Sequence, residues 1–275
     1  MSLARTIPVA LTCAGLDPSG GAGVIADVRT FEKLGVFSAA VITCVTYQGP
    51  AGVRGRRDLD ESVVREQLDV LLEDVTPAAA KTGVVGLEGT VSVLAQAFKR
   101  FPDMPLVVDP VLRSGCGKEL VSTGAKSRLL EELVSLSHVV TPNGEELKAL
   151  TGHSFSDVDD CAQAAMGLVK LGARSVLVTG LLFGGKHEGK ALDVLVTKEG
   201  YSVYSRELMK LKRVHGTGCV LSAAICAYIA LGYDLREAVE RARDVVWDAI
   251  TCSVSPGLGV PCAYLKGGKY ENRID

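Results

Sequence analysis

Val9-Ala10-Leu11-Thr12-Cys13-Ala14-Gly15 is followed by Leu16-Asp17-Pro18-Ser19-Gly20-Gly21-Ala22-Gly23 and then by Val24 to Leu34. The first segment is a continuous apolar run, as a strand buried on both faces requires. The second is a turn-rich loop. The third has helical character and is stopped by Gly35. Ala39-Ala40-Val41-Ile42-Thr43-Cys44-Val45-Thr46 resumes as a strand and runs into Tyr47-Gln48-Gly49-Pro50. Strand, loop, helix and strand make one βαβ unit, whose two strands lie parallel.

The same alternation continues outward from that unit. Residues 51–58 (AGVRGRRD) read as a loop or an edge hairpin. Asp60 can cap a helix carrying Val63, Val64, Leu68, Leu71, Leu72 and Val75 at helical spacing. Ala78–Gly83 is a short strand, Glu88–Arg100 a helix, and Leu106–Val111 an apolar strand closed by Asp109 and Pro110. Arg113–Lys118 is a basic, Gly-containing loop, and Ser122 opens a helix to Leu136. His138–Pro142 is a strand, and Asn143 starts a helix to Leu150. Asp157 or Asp159 opens one to Leu171, and Ser175–Gly180 is a strand. Residues 184–206 read as an antiparallel hairpin. Helices follow to about Leu231 and from Leu235 to about Ile250, and the last residues of the Gly/Pro-rich tail 256–275 are expected to be loosely held. The chain is therefore expected to be α/β: one domain over 1–275, a mostly parallel sheet covered by helices on both faces, and a small antiparallel hairpin.

The 275 residues are 47% hydrophobic and 23% charged, which suits one large globular core. A net charge of −2 argues against a nucleic-acid partner. No apolar run reaches membrane-spanning length, and Met1–Pro8 carries no signal-like core. None of the 8 cysteines forms a C-x-x-C pair. A reduced, cytoplasmic enzyme is the expectation.

Ligands of such sheets bind beyond the carboxyl ends of the strands. Gly15–Asp17, Gln48, Lys81, Asp109, Asn143–Glu146 and Thr179 gather at that end. His215-Gly216-Thr217-Gly218-Cys219 opens an Ala-rich helix. A Gly-rich loop leading into a helix holds anions, because the first helical N–H groups lack intrahelical partners and the dipole favours negative charge. Cys219 sits where that field favours a thiolate. These features point to a small-molecule kinase with Gly216, Thr217 and Gly218 at the transferred phosphoryl group and Cys219 as the base or polariser of the acceptor hydroxyl. The plain alternative is a tight loop with Cys219 buried for its size. Neither G-x-x-x-x-G-K-[ST] nor a G-x-G-x-x-G unit with its downstream acid is present.

Asp109 and Glu146 suit Mg²⁺, which takes a few protein oxygens together with waters and phosphate. Asn143 either caps its helix only or also supports that site. Lys81 is either a buried cation paired with Asp109 or a phosphate, or a snorkelling lysine. Asp27 either reaches a ligand or is solvated. Gln48 offers an amide to a heterocycle or is an ordinary turn residue.

The strings CAGLDPSGGAGVIADVRTFEKLG, AKTG, VVDPV, TPNGEEL and HGTGCVLSAA, in this order, resemble the ribokinase-like superfamily. Within it they are similar to the hydroxymethylpyrimidine/phosphomethylpyrimidine kinases of thiamin biosynthesis, over about Val9 to Ile250. The resemblance implies a ribokinase-like three-layer fold. It also implies ATP-dependent phosphorylation of 4-amino-5-hydroxymethyl-2-methylpyrimidine and then of its monophosphate. It puts Cys219 at the catalytic base position and Gly216, Thr217 and Gly218 at the anion hole. Gln48 and the Gly15 backbone would hold the pyrimidine, with Asp27 near it. Asn143 and Glu146 would form the magnesium/phosphate motif with Asp109 nearby. Arg113, Cys116 and Lys118 would lie in a lid, and relatives are commonly homodimers.

The chain departs from the family at Val84, where methionine often lines the pyrimidine. It departs again after Thr179, where a phosphate-facing lysine is lost or shifted to Lys186, and in the tail beyond Ser253. Some relatives acting on pyridoxal use a lid cysteine, a role open to Cys116. The rivals are a pyridoxal/pyridoxamine kinase, a non-catalytic pyrimidine sensor and a generic sugar kinase. Cysteine in place of aspartate at 219 argues against the last.

Overall fold

A computed structural model describes residues 7–115, 117–209 and 213–266. Nine strands form one sheet in the order β3-β2-β1-β4-β5-β6-β7-β8-β9. These are β1 Val9–Leu16, β2 Phe37–Gly49, β3 Gly52–Asp58, β4 Ala79–Thr82, β5 Leu106–Val108, β6 Val139–Val140, β7 Ser175–Leu181, β8 Lys190–Thr197 and β9 Gly200–Glu207. The pairings from β2 through β7 are parallel. Both edges are antiparallel: β3 on β2, and β8 and β9 continuing from β7. The expected hairpin at 184–206 is thus no appendage but the end of the main sheet, and residues 52–58 are an edge strand.

Alternation along the central strands sends side chains to two cores. Leu11, Ala80, Val108, Val140 and Val176 face helices α2 (Glu61–Asp74), α3 (Glu88–Phe98), α4 (Thr123–Arg128), α5 (Gly144–Thr151) and α6 (Val158–Lys170). Ala10, Ala79, Val107, Val139 and Leu177 face α1 (Gly23–Lys33), α7 (Thr217–Ala230) and α8 (Leu235–Thr251). α7 is apolar around most of its circumference, as a helix clamped between a sheet and other helices must be. The small side chains of Ala223, Ala224 and Ala227 let it lie close to the strands.

Two local expectations differ from the structure. Asp60 precedes α2 but its side chain makes no capping bond. The helix expected from Ser122 to Leu136 is α-helical only to Arg128, with a π turn over Leu129–Leu133 and a 3₁₀ turn over Val134–Leu136. Residues 253–264 form a strap tied to the loop before α7. His215 donates its N–H to Pro261 O at 2.8 Å and accepts from Ala263 N–H at 2.9 Å, while Val254 and Cys262 exchange bonds at 3.1 and 2.8 Å. The end of the tail, 267–275, lies outside the described residues.

Candidate active site

A cavity of about 850 Å³ lies at the carboxyl end of the parallel strands. Its wall gathers Gly15, Gln48, Val84, Asp109, Arg113, Asn143, Glu146, Thr179 and the loop His215–Cys219. These residues come from seven separate stretches of the sequence, as the strand-end rule anticipates.

The loop before α7 has the geometry of an anion site. Gly216 caps the helix at φ +88°, and the first intrahelical bond runs from Val220 N–H to Gly216 O at 3.0 Å. The N–H groups of Thr217, Gly218 and Cys219 are therefore free of helical partners at the cavity wall. Gly216 packs on the loop after β1 so closely that a Cβ there would come within 1.9 Å of Gly21 O. Gly23 N–H donates a hydrogen bond to the Cys219 sulfur. The two Gly-rich loops thus form one unit.

Cys219 departs from its expected ionisation. Burial pushes the thiol up to about 12. Lys81 pulls the other way, and the charges of Asp109 and Asp27 reinforce the rise. The resting group is a thiol, because burial disfavours the thiolate more than the Lys81 ammonium favours it.

Beneath the loop lies a buried charge network. Lys81 Nζ is 2.9 Å from Asp27 Oδ2 and 3.9 Å from Asp109 Oδ2. Lys81 is fully buried, so the snorkelling alternative is out. Its nearer partner is Asp27 rather than the expected Asp109. Burial opposes its charge, yet Asp27, Asp109 and Cys219 together raise its pKa. Asp27 also accepts from Thr12 Oγ1 at 2.7 Å and is not part of the cavity wall. It supports the floor one layer down and is buried rather than solvated.

Asp109 accepts from Ser222 Oγ of α7 at 2.8 Å. Burial raises its pKa against the pull of Lys81 and Ser222, and Asp27 adds to the rise. Asn143 and Glu146 form a capping box: Asn143 Oδ1 accepts from Glu146 N–H, and Glu146 Oε2 accepts from Asn143 N–H, both at 2.9 Å. Burial, then the charge of Asp109, pushes Glu146 up to about 8. Two facing carboxylates held above their ordinary range are short of positive charge, and oxygen-only donors fit Mg²⁺. Among the described residues no cluster of three His, Cys, Asp or Glu could hold a metal alone. Such an ion would rest on these two carboxylates, water and phosphate.

At the opposite end of the cavity, Gly15 and Val84 pack together with Cys44. A Cβ on Gly15 would meet Cys44 Sγ at 2.7 Å and Val84 Cβ at 3.7 Å. Gln48 Nε2 lies 3.0 Å from Asp17 Oδ2 and 2.8 Å from His215 Nε2. In the loop after Val111, Arg113, Ser114 and Gly115 reach the cavity, while Lys118 Nζ bonds to the Arg54 carbonyl on β3. Lys118 thus clamps the loop to the edge strand rather than facing the ligand space. Cys116 lies outside the described residues, and so does the side chain of Lys186.

Sequence reasoning missed several wall residues. Asp17 and His215 stood inside the quoted motifs without a role. Gly259 and Val260 of the strap, Asp193, Arg206, Arg243 and Trp247 also line the space. Arg206 stacks over Trp247 at 4.9 Å, and Arg243 binds Asp193 at 2.6 Å. Only an aromatic among charges on α8 hinted at that end.

The sequence profile of the family described as phosphomethylpyrimidine kinase matches residues 17–262. The hydroxymethylpyrimidine/phosphomethylpyrimidine kinase of Staphylococcus aureus (strain MRSA252) is 35% identical over 253 residues, 91% of this chain and 90% of that protein. The crystal structure of phosphomethylpyrimidine kinase from Clostridium difficile 630 superposes with a TM-score of 0.77 at 34% identity, over 89% of this chain and 100% of that one. An ADP complex of Bacillus subtilis pyridoxal kinase gives a TM-score of 0.83 at 31% identity, over 94% of this chain and 96% of that one.

Proposed function

The chain belongs to the phosphomethylpyrimidine kinase family, and from that premise we propose that it uses ATP to phosphorylate 4-amino-5-hydroxymethyl-2-methylpyrimidine and then the resulting monophosphate, in thiamin biosynthesis. The observation that carries the proposal is one cavity whose wall holds both a free helix N-terminus at Thr217–Cys219 and the residues Gly15, Gln48 and Val84. Kinship with named pyrimidine kinases and the likeness to an ADP-bound kinase support it.

The geometry supports the following roles. Gln48, Gly15 and Val84 hold the ring with its hydroxymethyl group toward α7. The N–H groups of Thr217, Gly218 and Cys219 receive the transferred phosphoryl group, whose charge the helix terminus offsets. Asp109 and Glu146, with Asn143 fixing the latter, would hold Mg²⁺, which would neutralise phosphate charge. The substrate hydroxyl oxygen bonds to the γ-phosphorus as the bond to ADP breaks, and the Cys219 thiolate takes the hydroxyl proton. The thiol must first give its proton to water, and the Lys81 ammonium favours the resulting thiolate. Arg113 and Gly115 at the rim belong to a lid that excludes water.

Incubation with ATP, Mg²⁺ and the pyrimidine alcohol, read by product mass, tests this. Successive gain of one and two phosphoryl groups is the expected result. No gain, with no ATP turnover, overturns it in favour of a binding protein. A second reading, a pyridoxal kinase, is favoured by the TM-score of 0.83 to such an enzyme; faster turnover of pyridoxal in the same assay would establish it. The proposal includes a single-domain cytoplasmic homodimer, and sedimentation of the purified chain tests the dimer. Among the described residues no helix is long and apolar enough to cross a membrane.

A further inference from the structure

Three polar groups meet where the loop after β1, the end of β2 and the loop before α7 converge. Gln48 Nε2 is 3.0 Å from Asp17 Oδ2 and 2.8 Å from His215 Nε2, and His215 Nε2 is 3.2 Å from the same Asp17 oxygen. Asp17 is buried. It receives Ser19 N–H and Oγ–H on Oδ1 at 2.9 and 2.7 Å, and Ala22 N–H on Oδ2 at 3.0 Å. That donor set belongs to a carboxylate, which only accepts.

The donor logic then has one consistent solution. The end of Gln48 beside Asp17 is its NH₂ group, since its carbonyl would set oxygen against oxygen. The same NH₂ is closer still to His215 Nε2. Two donors do not face each other at that distance, so Nε2 carries no hydrogen and the neutral ring holds its proton on Nδ1. In the competing arrangement Nε2–H donates to Asp17 over the longest of the three contacts and opposes two donors across the shortest.

We infer that His215, as the Nδ1–H tautomer, is a positioning residue that acts with Asp17: it takes the second N–H of the Gln48 amide and so holds Oε1 toward the substrate. Both N–H bonds of the amide are taken by Asp17 and His215, so its remaining group is Oε1. A carbonyl oxygen accepts. The ring substituent it selects is a hydrogen-bond donor, an exocyclic amine, rather than a ring nitrogen lone pair.

His215 is itself held on three sides. The strap binds its backbone N–H through Pro261 O and its carbonyl through Ala263 N–H. Its ring edge rests on Gly21, where a Cβ would meet Cδ2 at 2.7 Å. Gly216 follows directly, so one residue anchors both ring selection and the anion loop. The inference rests on the aminopyrimidine kinase reading and deepens it.

The test compares wild type, His215→Gln and His215→Leu. Two substrates are used, the aminopyrimidine alcohol and the same compound with hydrogen in place of the 4-amino group. Long-range ¹H–¹⁵N correlation of the imidazole nitrogens in the unliganded protein is read alongside, with His215→Gln assigning the signal among the four histidines. Wild type is expected to prefer the amino compound in kcat/KM by about tenfold or more, the worth of one well-made hydrogen bond. His215→Gln supplies an acceptor oxygen near the Nε2 position and keeps that ratio within about threefold of wild type; His215→Leu removes one of the two bonds that hold the amide, leaves Asp17 alone to orient it, and lowers the ratio by about fivefold or more. The spectrum should show the Nδ1–H tautomer. An unchanged ratio in His215→Leu, or an Nε2–H or doubly protonated ring, overturns the inference. If wild type phosphorylates neither pyrimidine, the functional reading and the selection drawn from it fall together, and the spectrum still decides the tautomer by itself.

Discussion

Lys81 Nζ donates to Asp27 Oδ2 across 2.9 Å with neither side chain exposed. The pair joins β4 to α1 directly below α7. Asp27 Oδ1 has no hydrogen-bond partner, so the second oxygen gains nothing that would compensate for loss of the lysine. Removing one member of a buried pair strands the other charge, at a cost of about 3–5 kcal/mol. Lys81→Met is therefore expected to lower unfolding free energy by about that much in urea titration. Lys81→Met/Asp27→Leu should cost less than the sum of the two single variants, because one stranded charge is gone. A loss under about 1 kcal/mol for Lys81→Met would show that the pair is not the organising contact of the floor.

Cys219 is expected to behave as a poor nucleophile in the free protein. Burial holds its thiol up to about 12 despite Lys81 and the Gly23 N–H. Alkylation by iodoacetamide, followed by mass analysis of the Cys219 peptide, should remain slow from about pH 7 to about pH 9. Cys219→Ala should cut kcat by about 10²–10⁴, the range for a general base, and change the pyrimidine KM by less than about threefold. Near-full turnover in Cys219→Ala would remove the base assignment.

Much of this architecture is legible before folding, and the physical reason is local. β1, α1 and β2 can be read from apolar runs, a Gly-rich turn and Gly35. α7 is marked by its loop and its alanines. The antiparallel continuation of β7 into β8 and β9 is less visible, because a hairpin pattern does not say which sheet it joins. The π and 3₁₀ turns after Arg128 leave no periodic signature. In the site, Gly216–Cys219, Asp109 and Glu146 are exposed by their motifs. The partner of Lys81 is not, since choosing Asp27 over Asp109 requires knowing that β4 lies beside β1. Asp17 and His215 are 198 positions apart, and only the assembled sheet ends bring them together. The strap is hidden for the same reason: its bonds to His215 are backbone bonds, which any sequence can make.

Glu146 gives the free protein a pH dependence of stability with a definite sign. Its folded pKa is about 8 against an ordinary value of 4.5, because burial and Asp109 disfavour the carboxylate. The folded state therefore binds more protons than the unfolded chain between these values. Stability from this group is complete below the ordinary value and is lost as pH rises through about 8. Glu146→Gln keeps an oxygen for Asn143 N–H and cannot titrate. The difference between wild-type and Glu146→Gln Tm should turn against wild type between about pH 5 and about pH 9. Added Mg²⁺ should restore wild type at the alkaline end and leave the variant nearly unmoved. A difference flat with pH would show that Glu146 ionises normally in the fold.

Gly216 and Gly218 lie two residues apart and should fail in different ways when changed to alanine. Gly216 has φ +88°, and its Cβ would meet the Gly21 carbonyl oxygen at 1.9 Å. The obstacle is backbone in the facing loop, so no side chain can swing aside. Left-handed strain alone costs about 1 kcal/mol, and with the clash Gly216→Ala should lose at least about 2 kcal/mol of stability. At Gly218 a Cβ meets nothing within 4 Å, and the position lies in the first turn of α7. Alanine there should hold or raise Tm, since it favours helix over glycine by about 0.5–1 kcal/mol. Its methyl group occupies space at the anion loop, however, and should lower kcat/KM for ATP by about tenfold or more. Measuring Tm and ATP kinetics on both variants separates the loop's two tasks, holding the Gly20–Gly23 turn and receiving phosphate. Unchanged ATP kinetics in Gly218→Ala would place the transferred phosphoryl group away from the N-terminus of α7.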